Sequence, residues 1–430
     1  MWKLVKRFVK FVLKKFNLTI IRIYPVNSNS SNSDNIAISE EANNNEYLSI
    51  KDTKQIFFDK KSKIFILQKN IPVRLVHVGV HKNGNAGDTL LFPAIRALLQ
   101  KYLAPIEFTL VNVHDVVTQE LIDLINNHDG IIIGGGGLFL KDTNSNQISG
   151  WQWACPLDLL EKIRVPIVVF AVGYNRFRGQ DDFDDLFKYN IELLVNKSAF
   201  FSLRNNGSIE AIKQYIDPSL HNKIFLQPCP TTLLSKFYPY EIPKNKYRNI
   251  LALNIPFDRS NLRYCNQEES IFKNLAEIIK RIESEGWQVI LYNNLNCDAE
   301  AAIWLRKYGK LPLQLNLQNM PPSKVIYWYN QASAVIGGRG HAQMIPFGLN
   351  IPIFSLISHD KMGWFLDDIK HPEWGEEIRS PELEDKIIHY FQSVKENEMK
   401  KQLTESQDLL WLQTINNIKK LDNFFMINNT

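Results

Sequence analysis

Several features that would assign this chain to a familiar class are scarce or missing. The sequence has four cysteines in 430 residues, at 155, 229, 265 and 297, with no Cys-x-x-Cys spacing. This excludes a disulfide framework and a zinc-ribbon cluster, and it predicts reduced thiols in a cytoplasm. The chain has no run of eighteen apolar residues, so no membrane-spanning helix is expected. It also lacks the G-x-x-x-x-G-K-[ST] loop and a clean G-x-G-x-x-G. No metal-ligand cluster is visible, and we expect no bound metal.

Positive charge is concentrated at one end of the chain. The formal net charge is +5, and residues 1–16 carry six basic residues and no acid, which leaves −1 for the rest. Such a body does not have the basic surface of a nucleic-acid-binding protein, so no nucleic-acid partner is expected. Apolar and basic residues of this segment fall on opposite faces of a helix. We predict that residues 1–24 lie on an anionic membrane surface; the alternative is a helix docked on the protein itself.

The remainder of the sequence divides into a polar stretch, two folded regions and a tail. Residues 25–55 are rich in Asn, Ser and Glu, which predicts a disordered linker. Strand-like and helix-like segments then alternate through residues 56–240 and again through 241–395, which is typical of parallel sheets. We therefore predict an α/β protein with two Rossmann-like domains facing across a cleft. A helical tail, residues 396–430, is expected to cross back to the first domain.

One βαβ unit carries the strongest candidate site. A buried strand ends at Gly337 and Gly338, and Arg339, Gly340 and His341 follow before a helix begins. Open α/β sheets hold ligands at this end of their strands, an arginine offers a bidentate fork to carboxylate or phosphate, and a histidine carries a proton near neutral pH. From these residues alone, an arginine paired with a surface acid and a histidine that only starts the helix explain the pattern equally well.

Other candidates follow strand ends elsewhere. A loop with Asn85 and Asp88 lies between a strand and a helix, where Asp88 could instead cap the helix. A run of four glycines, residues 134–137, ends another strand and permits positive φ or close backbone approach. Further candidates are Arg204, Asn254, Lys361 and His359, each of which comes at or just after the end of a predicted strand.

Four segments in order resemble the polysaccharide pyruvyl transferase family. They are Asn-Ala-Gly-Asp at 85–88, the glycine run with Leu138 and Phe139, residues 202–208, and Gly-x-Arg-x-His-Ala at 337–342 with a lysine about twenty residues on. The resemblance implies a GT-B-like fold, with the acceptor on the first domain and the donor on the second. It also implies transfer of pyruvate from phosphoenolpyruvate, a co-substrate rather than a cofactor, to a sugar as a ketal.

The resemblance also implies roles for individual residues. His341 is the predicted general acid and Asp88 the predicted base, with His359, Lys361 and His81 as alternative acids. Predicted substrate-binding residues are Arg339, Arg204, Gly340, Ser208, Asn85, Gly135, Gly136, Asn254 and Lys361.

Two positions depart from the family pattern, which usually has an acid after the first arginine and an Asp-Pro further on. Here Asn205 follows Arg204, and Cys229 stands before Pro230. These departures keep open a nucleotide-sugar-dependent glycosyltransferase of the same fold, or a membrane-tethered glycan-binding protein without catalysis. The expected partners are phosphoenolpyruvate, a glycan or lipid-linked oligosaccharide, and an anionic membrane. The expected location is the cytoplasmic face of that membrane.

Overall fold

The structure is a computed structural model. It describes residues 72–426 except 82–83, 104, 142–146, 239–248 and 396–397, together with five strands before residue 72. The predicted amphipathic helix over residues 1–16 lies outside the described residues. No helix in the described part of the chain combines the length and hydrophobicity that a bilayer span would need.

The five early strands form an antiparallel sheet in a compact unit comprising residues 1–73 and 104–107. They are β1 (Thr19–Ile20), β2 (Ala37–Ile38), β3 (Tyr47–Ile50), β4 (Lys54–Asp59) and β5 (Ile64–Lys69), in the order β1-β5-β4-β3-β2. Strands β2, β3 and the start of β4 fall inside the predicted linker, and β4 and β5 fall inside the predicted first domain. The structure therefore has strands within the range predicted as a linker, and an antiparallel unit precedes the first parallel sheet in the chain. Apolar residues such as Leu48 and Ile56 are paired in the register of β3 and β4. The average composition of the polar stretch hides these apolar positions.

The first parallel sheet begins at residue 73. Its strands are β6 (Val73–Gly79), β7 (Ile106–Asn112), β8 (Gly130–Gly134), β9 (Ile167–Val172), β10 (Ser198–Leu203) and β11 (Ile224–Leu226), in the order β11-β10-β9-β8-β6-β7. The pairings β6–β8, β8–β9, β9–β10 and β10–β11 are parallel. Strands β8 and β9 are buried along their whole length, as expected for strands covered on both faces.

Six helices accompany this sheet. They are α1 (Ala86–Tyr102), α2 (Gln119–Asn126), α3 (Leu157–Glu161), α4 (Asp185–Lys197), α5 (Asn206–Lys213) and α6 (Leu234–Phe237). Helices α1 and α4 each bury an apolar stripe, with Leu91, Ile95 and Leu98 on the first and Phe187, Ile191 and Leu194 on the second. Each helix thus returns the chain across a sheet face to the next strand.

The second parallel sheet has the strands β12 (Ile250–Asn254), β13 (Gln288–Asn293), β14 (Leu313–Asn316), β15 (Ala334–Gly337), β16 (Ile353–Ile357) and β17 (Gly375–Glu377). Their order is β14-β13-β12-β15-β16-β17, and all five pairings are parallel. Its helices are α7 (Ser260–Tyr264), α8 (Glu268–Ser284), α9 (Glu300–Lys307), α10 (Pro322–Tyr329), α11 (Gly340–Gly348) and α12 (Asp360–Asp368). The prediction of two Rossmann-like α/β regions is confirmed.

Two final helices, α13 (Leu383–Lys395) and α14 (Glu398–Met426), form the tail. Helix α14 packs on the first domain, as expected. Asn417 Nδ2 donates to the Leu226 carbonyl at 2.7 Å, Ser235 Oγ donates to Gln407 Oε1 at 3.0 Å, and the ring of Trp411 stacks on Phe237. The tail therefore ties the end of the second domain to the first.

Each parallel sheet reverses its strand order at one point. In the first sheet the reversal falls between β6 and β8, and in the second between β12 and β15. A crevice opens outside the carboxyl ends of the strands at such a point, because the chain leaves the two strands toward opposite faces. The loops that follow β6, β8, β12 and β15 are therefore the parts of the fold best placed to hold a ligand.

Candidate functional site

The loops at the two reversal points line one shared cavity of about 360 Å³, a size ordinary for a small-molecule site. The first domain contributes side chains and backbone that follow β6, β8, β9 and β10. The second contributes residues that follow β12, β13, β15 and β16. The lining residues used below are Asn85, Asp88, Gly136, Asn175, Phe177, Arg204, Asp258, Arg259, Arg263, Arg339, Gly340, His341 and Lys361.

Most of the predicted site residues meet in this cavity. Eight of the eleven line it: Asn85, Asp88, Gly136, Arg204, Arg339, Gly340, His341 and Lys361. Gly135, Ser208 and Asn254 are not among the lining residues, and their contacts place them behind the cavity wall. Sequence reasoning could not make this distinction, because a residue at a strand end faces either the crevice or the layer beneath it.

Asn85 and Asp88 have different positions and contacts at the start of α1. Asn85 is the N-cap, and its Oδ1 accepts from the Gly87 backbone N–H at 2.8 Å. Asp88 follows in the first turn and lines the cavity. The N-cap hydrogen bond to the Gly87 N–H is therefore made by Asn85, and Asp88 lines the cavity.

The glycine run after β8 shapes the part of the wall next to α1. Gly135 and Gly136 have φ of +78° and +85°, in the left-handed region that favours glycine. A Cβ on Gly135 would stand 2.5 Å from Ile95 Cδ1, so this residue is packed against α1. Gly136 turns the backbone into the cavity, where it lies near the Asp88 carboxylate.

Arg339 is fully engaged by carboxylates. Its Nε and Nη2 donate to the two oxygens of Asp298 at 2.9 and 2.5 Å, and its Nη1 lies 2.8 Å from Asp258 Oδ1. Burial lowers the pKa of the guanidinium, but Asp298 and Asp258 outweigh that effect and raise it above its usual value. The bidentate fork predicted for an anionic ligand is thus occupied by a fully buried aspartate.

Asp298 joins three loops of the second domain. Besides Arg339 it accepts from the backbone N–H of Phe257, Asn294 and Leu295, at 3.1 to 3.2 Å. Asn254, predicted as a ligand residue, sits behind it. Its Nδ2 donates to the Tyr292 carbonyl at 2.8 Å and also lies 3.4 Å from Asp298 Oδ2. These contacts fix the loops after β12, β13 and β15 relative to one another.

Asp258 is the second carboxylate of this group. Arg263 donates to both of its oxygens at 3.1 and 3.2 Å, and Arg259 lies 3.3 Å from one of them. Burial raises the pKa of Asp258, yet Arg263 and Arg339 lower it more, so the net pKa is well below the usual range. Three arginines of the second domain therefore share two aspartates.

Arg204, from the first domain, has no such partner. It is buried, and among the described residues its Nε and Nη2 find no hydrogen-bond acceptor. Burial lowers the pKa of the guanidinium, which the nearby Cys229 and Asp88 only partly offset. An unsatisfied buried guanidinium is costly, which makes Arg204 a candidate for binding an anion.

The backbone around Arg204 explains how it is held without an acidic neighbour. A Cβ on Gly173 would stand 2.2 Å from Arg204 Nε, so the guanidinium lies directly on that glycine. Ser208 Oγ accepts from the Tyr174 N–H at 3.0 Å and fixes the same loop. Asn205 is the N-cap of α5, with its Oδ1 accepting from the Ser208 N–H at 2.8 Å. The departure at Asn205 therefore serves helix capping, and packing orients Arg204.

Lys361 is the second cation without a carboxylate partner. Its Nζ donates to Asn175 Oδ1 at 2.5 Å and lies 5.5 Å from the centre of the Phe177 ring. Burial, Arg263 and Arg204 lower its pKa well below the usual value. Burial is the main cause of this shift and like charge in the cavity the next, and an anionic ligand would relieve the second.

His341 stands between the two domains at the start of α11. A Cβ on Gly87 would lie 2.3 Å from His341 Nδ1, so the first domain contacts the ring directly, and Cys229 Sγ lies 3.8 Å from Nε2. Burial, together with Arg204 and Lys361, lowers the pKa of His341 to about 3. A pKa this low favours the neutral imidazole at neutral pH.

Of the three alternative acids, Lys361 lines the cavity, whereas His359 and His81 do not. His359 is buried, its Nδ1 accepts from the Lys361 N–H at 3.3 Å as the cap of α12, and its ring packs on Phe177 at 4.4 Å. His81 Nε2 donates to the His77 carbonyl at 3.2 Å, and the ring packs edge-on against Phe92. Neither is a lining residue of the cavity.

Sequence reasoning missed Asp258, Asp298, Asn175 and Phe177. Asp298 lies in a short 3-10 helix after an asparagine-rich loop, 41 residues from Arg339, and nothing in the sequence pairs them. Phe177 and Asn175 follow Gly173 at a strand end, which was the available signal. Across the residues that the structure describes, no group of three His, Cys, Asp or Glu side chains could hold a metal ion.

The fold and the site together define a class of protein: two Rossmann-like domains closed around a cavity rich in fixed cations. The model of the polysaccharide pyruvyl transferase family matches residues 85–360. The chain therefore belongs to the polysaccharide pyruvyl transferase family and is a transferase enzyme. A search of curated protein sequences returned no match.

Several solved structures resemble this one. A UDP-N-acetylglucosamine 2-epimerase from Rickettsia bellii is 10% identical, with a TM-score of 0.49, covering 84% of this chain and 98% of its own. A putative UDP-N-acetylglucosamine 2-epimerase from Listeria monocytogenes is 14% identical, with a TM-score of 0.47, covering 77% and 90%. The wall teichoic acid polymerase TagF is 11% identical, with a TM-score of 0.46, covering 83% and 89%.

Proposed function

We propose that this enzyme transfers the pyruvyl group of phosphoenolpyruvate to two hydroxyls of a sugar, forming a ketal and releasing inorganic phosphate. The observation that carries the proposal is the pair of cations without carboxylate partners, Arg204 and Lys361, in one cavity with His341. Phosphoenolpyruvate carries a carboxylate and a phosphate, and a phosphate monoester alone has a charge of about −1.5 to −2 near pH 7.

The charge of the cavity suits this donor. Five basic side chains line it against the carboxylates of Asp88 and Asp258, with Asp298 directly behind, so two positive charges remain uncompensated. We assign the donor anion to Arg204 and Lys361, with the Gly340 backbone as a further contact. Arg339 holds its loop through Asp298 and completes the positive field without a free fork.

The reaction forms two C–O bonds at C2 of the donor and moves the protons of two hydroxyl groups. A sugar hydroxyl oxygen bonds to C2 of the enol phosphate while C3 gains a proton and becomes a methyl group. A second hydroxyl then bonds to C2 as the C2–O bond to phosphate breaks. One hydroxyl proton is balanced by the proton added to C3, and the other leaves with phosphate. No oxidant, reductant or metal is needed for this balance.

His341 and Asp88 are the groups we assign to these protons. His341 supplies the proton to C3 as general acid, and Asp88, across the cavity, accepts a hydroxyl proton as base. Burial, Arg204 and Lys361 lower the pKa of His341 and so favour its neutral form. A bound trianion would compensate the charges of Arg204 and Lys361 and raise the pKa of the imidazole. Donor binding would therefore favour the protonated ring that acts as the acid.

The direct test is turnover. The full chain is incubated with phosphoenolpyruvate and a panel of glycans, and phosphate release is measured together with a mass gain of pyruvate less water on the glycan. His341→Asn, which can hydrogen-bond but cannot supply an acidic proton near neutrality, is the matched control. Absence of both phosphate release and mass gain across the panel would argue against the proposal. UDP- and GDP-sugars in parallel assays test the glycosyltransferase alternative.

We further propose that residues 1–16 attach the enzyme to an anionic membrane where a lipid-linked acceptor is displayed. The support is the sequence alone: six basic residues opposite an apolar face, each cation contributing about 1 kcal/mol near such a surface. Removal of residues 1–24 should release the protein from anionic liposomes and leave turnover on a soluble acceptor unchanged. Continued sedimentation with the vesicles would contradict it.

A further inference from the structure

Arg178 connects the first domain to the second without lining the cavity. It lies in the loop after β9, and its Nη1 and Nη2 donate to the two carboxylate oxygens of Glu377 on β17, each at 2.8 Å. Its Nε donates to Asp360 Oδ1 at 2.6 Å, and Asp360 is the first residue of α12. One guanidinium thus binds two carboxylates of the second domain. Arg178 therefore fixes the start of α12 against the first domain.

The same loop also contacts the two residues that flank Asp360. Asn175 Oδ1 accepts from Lys361 Nζ at 2.5 Å. The Phe177 ring packs against the ring of His359, the N-cap of α12, with the ring centres 4.4 Å apart. The centre of the Phe177 ring also lies 5.5 Å from Lys361 Nζ. Three consecutive residues of the second domain therefore meet one short segment of the first, and Lys361 is held both at its ammonium and through its neighbours.

The other end of α12 also contacts the first domain. Asp368, its last residue, accepts from the backbone N–H and from Nδ2 of Asn206, at 3.2 and 2.8 Å. A Cβ on Gly207 would overlap the indole ring of Trp364, so α12 packs directly on the start of α5. Arg204 lies only two residues before Asn206. Both cations without carboxylate partners, one in each domain, are therefore next to contacts of α12.

A second arginine in the same loop offers a matched comparison. Arg176 Nε and Nη2 donate to the Gln180 carbonyl at 3.0 and 2.8 Å, and its Nη1 lies 3.6 Å from Asp182 Oδ1. Among the described residues, these partners all belong to the first domain. The side chains of Arg176 and Arg178 are 36% and 35% exposed. The two arginines therefore differ in the domain that they contact and not in charge or exposure.

We propose that Arg178 is a positioning residue for Lys361. Its ion pairs at the start of α12 set where the Lys361 ammonium stands in the cavity. Because Lys361 directly follows Asp360, a displacement of the start of α12 moves the backbone of the lysine, whereas Asn175 holds only the end of its side chain. The anion-binding role of Lys361 rests on the function proposed above. Loss of Arg178 should therefore weaken anion binding from outside the cavity.

A double-mutant cycle on the full chain tests this inference, with inorganic phosphate as the probe and its affinity measured by calorimetric titration. Arg178→Ala should weaken phosphate binding by about three- to tenfold in the wild-type background. The second background is Lys361→Gln, which removes the charge but keeps a hydrogen-bonding group. There Arg178→Ala should cause no further loss, because the ammonium through which Arg178 acts is gone.

The control and the contrary outcomes are equally specific. Arg176→Ala should keep the wild-type phosphate affinity, because its contacts lie within one domain. Equal losses from Arg178→Ala in the two backgrounds, or no loss in the wild-type background, would overturn the proposal. An equal loss in Arg176→Ala and Arg178→Ala would also overturn it, since any disturbance of the loop would then suffice.

Glu377→Gln provides a second arm if urea denaturation shows that Arg178→Ala disturbs folding. It weakens the same ion pair from the second domain and leaves Arg178 in place, so it should lower phosphate affinity in the wild-type background and not in Lys361→Gln. Arg178→Lys should recover part of the affinity, because an ammonium can keep one of the two ion pairs. Affinity that follows stability across these variants, without dependence on Lys361, would show a role in folding alone and overturn the proposal.

Failure of this proposal and failure of the proposed function give different results. If no glycan gains pyruvate, the proposed function fails, while the phosphate titrations still decide the role of Arg178. Where turnover is observed, Arg178→Ala should raise the KM for phosphoenolpyruvate more than it lowers kcat, since His341 and Asp88 stay in place. A lower kcat with an unchanged KM would overturn the assignment of Arg178 to Lys361.

Discussion

Arg204 and Arg339 have the same chemistry and line the same cavity, but they are held in opposite ways. Arg339 forms ion pairs with two carboxylates of the protein, so its guanidinium is hydrogen-bonded without a ligand. Arg204 lies on a glycine, with two nitrogens that lack acceptors in the described structure. The difference shows that the charge of an arginine does not predict its task. The role depends on the groups that the arginine already contacts: Arg339 stabilises the fold, and Arg204 is the candidate for ligand binding.

The largest effect should come from removing Arg339. Arg339→Ala leaves Asp298 fully buried and without its counter-ion, and breaking such a pair costs about 3–5 kcal/mol of the free energy of unfolding. Urea denaturation measures it. The double variant Arg339→Ala/Asp298→Asn should recover part of that loss, because the uncompensated charge is gone. Wild-type stability in Arg339→Ala would erase the distinction between the two arginines.

Removing Arg204 should act on binding instead. A charge-assisted hydrogen bond contributes about 1.5–3 kcal/mol, so Arg204→Ala should weaken phosphoenolpyruvate binding by roughly ten- to hundredfold in calorimetric titrations. Stability to urea should stay at the wild-type value or rise, since an unsatisfied buried guanidinium is removed. Arg204→Lys should recover only part of the affinity, because an ammonium has no planar fork. Unchanged donor affinity would move the anion site elsewhere.

A smaller effect should follow from disturbing Arg204 without replacing it. A Cβ on Gly173 would overlap the guanidinium, the flexible end of its side chain, which can shift while the backbone stays. Gly173→Ala should therefore weaken donor binding by only about three- to tenfold, a fraction of one charge-assisted bond, with stability nearly preserved. Gly363→Ala is the control for adding a methyl group, because Gly363, which like Gly173 has no positive φ, has nothing within 4 Å of its would-be Cβ.

The smallest effect concerns pH. The pKa of His341 is lowered to about 3, with burial the main cause and Arg204 the next, while Arg339 does not contribute. A depressed histidine pKa gives stability that is present above the unfolded value near 6.5 and is lost as pH falls toward 3. Arg204→Gln should raise the pKa of His341 and so narrow that window from its acid side, whereas the ring should titrate unchanged in Arg339→Gln. Equal titrations in the two variants, followed by NMR, would contradict the asymmetry.

Periodicity and glycine placement predict much of this fold because they report local geometry. The fully buried strands β8 and β9 and the glycines after them could be located from the sequence, since a parallel strand reads as a continuous apolar run. The early antiparallel sheet could not, because its strands are short and lie in or beside a polar stretch. Averaging composition over such a stretch hides alternation within it.

The site was predictable as a set of residues but not as a set of contacts. Arg339 and His341 can be identified from the sequence because they follow a predicted strand and a pair of glycines. Asp298 forms an ion pair with Arg339, and Cys229 contacts His341, which lies 112 residues away in the sequence. Both contacts arise from tertiary packing, and no local sequence pattern indicates them. The two arginines therefore looked interchangeable in the sequence and differ only in three dimensions.

The return of α14 to the first domain has a mechanical consequence for the cavity. The chain passes from one Rossmann-like domain to the other between Phe237 and Ile250, and passes back through α14, where Lys236 pairs with Asp408 at 2.5 Å and Asn417 holds Leu226. The second domain is thus joined to the first twice, once by the chain itself and once by the contacts of α14. Because His341 of the second domain lies against Gly87 of the first, the contacts of α14 help to keep the two sides of that contact together.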